Sequence, residues 1–215
     1  RLGGGRGVAA VVPEPLPPPL PAARLCMEIE RTERLGGTRD GKQIRLARCA
    51  EGSPLLLELG RLRERAFRSV GEGTGRARDI DRHDADYEHL LVWDESASRI
   101  AGAYRIARGA DLLARCGLDG LYTASLFWYT DAALPRLAEG MELGRSFVDP
   151  DYRGGRSLDY LWQGIGAYLR RHPRVRYLFG AVSMSAALPL HAREQIVAYY
   201  AHYYGDPNGE ARSRH

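Results

Sequence analysis

Three carboxylates, Asp79, Asp81 and Asp84, fall within six positions. Further on, Glu142 opens an apolar run that ends at Val148, with Arg145 inside it. Charged groups beside apolar stretches must be paired or desolvated at a cost, so a cluster of them points to a site. A carboxylate between apolar walls has a raised pKa and can serve as a general base, which makes Glu142 a candidate. In an extended segment Asp79 and Asp81 project to one side. There they can hold an ammonium, pair with arginine or ligate Mg²⁺ or Ca²⁺. The D-x-D-x-x-D spacing lacks the Gly and distal Glu of an EF-hand loop, which disfavours calcium. Side chains three apart on a strand face opposite ways, so Glu142 and Arg145 have different tasks unless a bulge intervenes. An edge-strand ion pair and a solvated acidic loop remain the plain alternatives for these two groups.

A third group follows at once. The strand ending at Asp149-Pro150 runs into Asp151-Tyr-Arg-Gly-Gly-Arg-Ser157 and then a helical pattern. Strand, glycine-bearing loop and helix N-terminus form an anion site, with backbone N–H groups and the helix dipole facing a phosphate. Arg153, Gly154, Gly155 and Arg156 would line it, and the two arginines add charge-assisted donors. An ordinary arginine-rich turn is the competing explanation.

The elements that must carry these residues are legible in the periodicity. Gln43–Ala47 alternates as a strand, and Leu55–Phe67 has helical spacing after the Ser53-Pro54 start signal. Residues 71–75 are a glycine-rich loop. Leu90–Trp93 and Arg99–Ala107 read as a hairpin about the turn at 94–98. A short helix at 111–117, a strand at 141–148, a helix at 160–171, a strand at 177–184 and a helix at 192–204 complete the series. The segment 124–129 is apolar and reads as either strand or helix. The alternation predicts an α+β fold, a central mixed sheet flanked by helices. Residues 1–21 are Gly- and Pro-rich and read as a linker or disordered tail. The domain is expected over 22–206, with a flexible tail at 207–215.

Composition excludes little else. The 215 residues carry 31 basic and 27 acidic side chains, for a net charge of +4, which argues weakly for any polyanion and gives no reason to expect nucleic acid. Lys42 is the one lysine, so the positive charge is arginine. Cys26, Cys49 and Cys116 are scattered without metal spacing and read as reduced thiols of a cytoplasmic protein. The six histidines form no ligand spacing, and no nucleophile elbow or zinc signature is present. No apolar run approaches the ~18 residues of a membrane span.

Taken in order, the motifs resemble a known family. Leu59–Gly75, the Asp79–Asp84 run, Tyr87–Trp93, Gly102–Arg105, Gly120–Phe127, Glu142–Val148, Leu161–Ile165 and Leu178–Ser185 are similar to bacterial N-acyltransferases of the ornithine-lipid type. These are GNAT-like proteins related to acyl-homoserine-lactone synthases. The nearest form is the N-acyltransferase half of bifunctional aminolipid synthases, and the resemblance covers about residues 22–205. It implies transfer of a fatty acyl group, often 3-hydroxylated, from acyl carrier protein to the α-amine of an amino acid, with ornithine the expected acceptor. The cofactor implied is a phosphopantetheine-linked acyl donor, acyl-ACP with acyl-CoA the alternative, and no metal. Arg63, Phe67, Asp79, Asp81, Arg105, Glu142 and Arg145 match recurring positions; Glu142 is implied as the base, and the Asp and Arg residues as the frame. Ser146 and Val148, on the same strand, would face the donor. Asp84 has no assigned role. The stretch between Phe67 and Asp79 lacks the tryptophan of the acyl-homoserine-lactone synthases, which counts against a homoserine-lactone product. An acyl-homoserine-lactone-like enzyme, an acetyl-CoA user and a non-catalytic domain of the same fold are the alternatives. Apolar and aromatic segments at 121–129 and 199–204 are where peripheral contact with the inner face of the membrane would occur.

Overall fold

The computed structural model describes residues 12–185 and 187–214. The first eleven positions of the Gly/Pro-rich start lie outside the described residues. In chain order the elements are α1 (Ala22–Glu30), β1 (Glu33–Gly37), β2 (Gln43–Arg48), α2 (Pro54–Arg68), β3 (Glu88–Asp94), β4 (Arg99–Arg108), α3 (Gly109–Cys116), β5 (Phe127–Tyr129), α4 (Leu134–Ala138), β6 (Gly140–Val148), α5 (Ser157–Arg171), β7 (Tyr177–Phe179), α6 (Leu190–Tyr204) and β8 (Ala211–Ser213). Six strands form one sheet in the order β1-β2-β3-β4-β6-β7. All neighbours are antiparallel except β6 and β7, which are parallel and joined through α5. The fold is therefore α+β with a mixed sheet.

Two helix layers close the faces. Helix α2 begins where Ser53 caps it, its Oγ accepting from the Leu56 N–H at 3.4 Å, with Pro54 in the first turn. Its Leu55, Leu56, Leu59, Leu62 and Ala66 pack with Leu25 and Ile29 of α1 against Leu91, Trp93, Ala103 and Phe147. Burying each such leucine contributes about 1.5–3 kcal/mol. On the other face α5 sets Ile165 and Tyr168 against Ile44, Leu46, Leu90, Ile106 and Met141. Gly164 permits that approach, since a Cβ there would lie 2.8 Å from Ile44 Cγ2 and 3.0 Å from Leu90.

Several expectations change. The approach to Gln43 contains a helix, α1, and a strand, β1, whose exposed Glu-Arg-Leu-Gly-Gly sequence hides the period-2 signal. The strand expected over 177–184 is three residues long, and its pairing with β6 ends at Phe179. The end of the expected C-terminal tail pairs instead, with Phe127↔Ser213 and Tyr129↔Ala211. Residues 12–21 lie along α2 rather than apart from the domain. Leu20 packs against the core and its N–H donates to Glu58 Oε2 at 3.0 Å.

Candidate active site

The charged residues converge on the α2 face of the sheet, beneath the segment Asp79–Asp84. Three guanidiniums meet three carboxylates. Arg63 Nη1 donates to Asp84 Oδ1 at 2.6 Å. Arg105 Nη1 donates to Asp81 Oδ1 at 2.6 Å and lies 3.3 Å from Asp84 Oδ1. Arg145 reaches Asp79 Oδ2 through Nε and Asp81 Oδ2 through Nη2, both at 3.2 Å. Arg63 and Arg105 are each 1% exposed, so their charges depend on these partners. The Arg105 guanidinium also lies 5.0 Å from the Tyr87 ring and 5.2 Å from the Tyr122 ring.

Proton positions follow from the contacts. Arg63 Nη2 approaches His89 Nδ1 at 3.1 Å, and only an unprotonated nitrogen can accept from it. The imidazole proton therefore sits on Nε2 and is donated to the Asp84 carbonyl at 3.0 Å. Burial first, then the Arg63 charge, push the His89 pKa down to about 3. Burial pushes Asp81 and Asp84 up, but the neighbouring guanidiniums outweigh it and hold both below the ordinary carboxylate value. At Asp79 burial prevails over Arg145 and Arg63, and its pKa is raised.

Arg145 reaches this cluster because of the bulge that the sequence left as an exception. Ala103 pairs with Phe147 and Arg105 with Gly144, so Tyr104 faces two residues, Arg145 and Ser146. Arg145 takes φ 49°, in the left-handed region. The extra residue turns its side chain to the face that carries Glu142. Both therefore serve one site.

Glu142, the residue implied as base, lies buried among hydrogen-bond donors. Its carboxylate is 1% exposed. Thr123 N–H donates to Oε1 at 2.7 Å, Tyr122 N–H to Oε2 at 3.1 Å, and the Tyr87 hydroxyl also donates to Oε2. Three donors fix the carboxylate as an acceptor that anchors residues 120–125. Burial and Glu142 together raise the Tyr87 pKa.

A cleft of about 530 Å³ opens beside the cluster. It exists because β6 and β7 part. Their register runs Gly140↔Tyr177, Met141↔Leu178 and Glu142↔Phe179, and ends there. Leu143, Gly144, Arg145 and Ser146 form one wall and Ala181, Val182 and Ser183 the other. Phe67, Glu72, Thr74, Asp79 and Tyr122 close the ends.

Of the expected substrate-binding residues, Phe67 and Ser146 line this cleft with Asp79 and Arg145. Arg63 does not: it is buried on Asp84 and His89. Val148 packs on the α5 side with Tyr160 and Leu161. Arg153 is tied to the end of α2, donating to Ser69 Oγ at 2.7 Å and to the Ala66 carbonyl at 3.1 Å. Gly154, Gly155 and Arg156 form the exposed turn before α5, whose first turn carries no side-chain cap. Asp84, unassigned in the sequence, is the hub between two arginines. Tyr122, Tyr87 and Glu72 were also missed as site residues; the match of three Asp to three Arg was the available signal for Asp84. Among the described residues no group of three His, Cys, Asp or Glu could hold a metal ion.

The sheet is mixed, with helices on both faces and two parallel strands that part around a cleft. Residues 62–163 match the family described as acetyltransferase (GNAT) domain. Over that stretch the chain is similar to GNAT domains. Among curated proteins it is 35% identical over 201 residues to a glycine N(alpha)-acyltransferase of Bacteroides thetaiotaomicron, covering 86% of this chain and 60% of the relative. It is 39% identical over 118 residues to an L-ornithine N(alpha)-acyltransferase of Brucella abortus, covering 52% of this chain and 41% of the relative. A similarly named protein of Rhodobacter capsulatus is 32% identical over 184 residues, covering 78% and 65%. The chain thus spans about three fifths of the length of the first of these relatives. No solved structure matches it.

Proposed function

We propose that the chain is an N-acyltransferase that moves a fatty acyl group, 3-hydroxylated in the expected case, from a phosphopantetheine thioester to the α-amine of an amino acid. The parting of β6 and β7 beyond Glu142↔Phe179 is the observation that carries this reading. A thioester arm is long, narrow and studded with amides. The bulged edge at Gly144–Ser146 offers it backbone groups, as a strand edge offers them to an added strand. The acyl donor is then acyl carrier protein, with acyl-CoA the alternative. The turn at Arg153–Arg156 and the uncapped start of α5 suit its phosphate.

The amine must first lose a proton, and Asp79 is the cleft carboxylate proposed to take it. The amine nitrogen then attacks the thioester carbonyl carbon and a C–N bond forms. The oxyanion at the tetrahedral stage is met by a backbone N–H of the β6 bulge. The C–S bond breaks as the attacking nitrogen gives up its second proton, which the departing sulfur takes to leave as a thiol. Arg145 and Arg105 hold Asp79 and Asp81 in place. Glu142 supports the reaction by fixing Tyr122 rather than by touching substrate. The relatives named for L-ornithine and for glycine support an amino-acid acceptor, with ornithine our reading. A product with an acyl tail suits action in the cytoplasm at the inner face of the membrane. None of the described helices is long and apolar enough to cross a membrane, so any contact is peripheral in this reading.

Expression of the chain in a host without aminolipids, followed by lipid mass spectrometry, tests the proposal. N-acyl amino acids absent from the parent strain are expected. An unchanged lipid profile with soluble, folded protein would contradict it.

A further inference from the structure

The cluster at the floor of the cleft is balanced in charge. Asp79, Asp81 and Asp84 are matched by Arg63, Arg105 and Arg145, and each carboxylate has a guanidinium within 3.2 Å. Glu72 differs. It lines the same cleft but enters no ion pair among the described residues. Its carboxylate partner is a neutral one, the Ser183 hydroxyl on the opposite wall, which donates to Oε2 at 3.0 Å. A hydroxyl satisfies one lone pair and leaves the charge uncompensated.

The carboxylate is also held in place from behind. Glu72 N–H donates to the Phe67 carbonyl at 2.9 Å. Just beyond it, fully buried Glu64 accepts from Thr74 N–H at 3.0 Å, Thr74 Oγ1 at 2.7 Å and Gly75 N–H at 2.8 Å. The loop therefore presents Glu72 from a fixed backbone, in the lining of the same cleft as Asp79.

Resting on the acyl-transfer reading, we propose that Glu72 is the acceptor-selecting residue: its carboxylate receives a cationic group on the acceptor's side chain, so a diamino acid is preferred to glycine. The ammonium displaces the Ser183 hydroxyl and takes three donors to a site that holds one unpaired anion. Glycine has no group to place there and gains nothing from Glu72.

The test compares ornithine and glycine as acceptors for the purified chain and its Glu72→Gln variant, with the same acyl thioester. Glutamine keeps an acceptor for Ser183 and removes only the charge, and the position is exposed, so the fold is retained. The expected result is a KM for ornithine raised about fivefold, the scale of one solvent-accessible ion pair, with kcat unchanged and glycine kinetics within about twofold. Equal effects on both acceptors, no effect on either, or a wild-type preference for glycine would overturn the assignment. If the wild type acylates neither amino acid, the acyl-transfer reading itself fails, and that is seen before any variant is made.

Discussion

Asp84 accepts from Arg63 and faces Arg105, so one buried carboxylate separates two buried guanidiniums. The same arrangement keeps His89 neutral and yields a pH prediction. Its folded pKa of about 3 lies below the ordinary value of about 6.5, so protons bind the unfolded chain more tightly. This contribution is whole above about pH 6.5 and is lost as pH falls toward 3. Urea unfolding across that window should show stability falling by up to about 1.4 kcal/mol per pH unit for this one group. A flat stability over that range would contradict the neutral, buried His89.

Asp79 and Glu142 are separated by a second residue-scale prediction. Asp79 has a raised pKa, so activity that needs its ionised form should be lost on the acid side above the ordinary carboxylate range. Asp79→Asn should abolish turnover or remove that acid limb from kcat/KM. Glu142→Gln should keep the limb where it is while weakening the fold by about 1–3 kcal/mol, because a buried backbone donor loses its acceptor. The reverse pattern, with the limb lost in Glu142→Gln, would return the base to Glu142.

At the scale of elements, the bulge in β6 and the short β7 make the cleft, and the Pro-rich segment 12–21 braces its loop. Glu14 donates its N–H to the Gly75 carbonyl at 2.8 Å and accepts from Ala77 N–H through Oε2 at 2.7 Å. Glu14→Ala should therefore speed hydrogen exchange at Ala77, whose N–H loses its carboxylate acceptor, and cost about 1 kcal/mol. Unchanged exchange there would show that the segment does not hold the loop. Most elements that bury an apolar face were legible from their period: α2 with its Ser53-Pro54 start, the β3–β4 hairpin, β6 and α5. What escaped was set by long-range pairing. β1, β8 and the bracing segment bury little and have no periodic signal, and a three-residue β7 cannot be told from a longer strand when the whole apolar run continues to Met184. The site was legible as residue types but not as roles. Glu142 and Asp84 sit at unremarkable spacings, and only burial and partners show that one anchors a segment and the other joins two arginines.

For the whole molecule, several aromatic rings are exposed. Tyr199, Tyr200, Tyr203 and Tyr204 of α6 and Trp128 of β5 face solvent, so the aromatic stripe is surface and not core. The sheet and two helix layers act as a rigid frame for one charged cluster and one split between strands. Everything proposed about chemistry depends on that split accepting a thioester arm and an amine together. The most direct measurement is mass analysis of purified chain mixed with an acyl-loaded carrier protein and ornithine. The account predicts one N-acyl amide formed for each carrier thiol released. Thiol release without amide, or a thioester that persists unchanged beside folded protein, would contradict it.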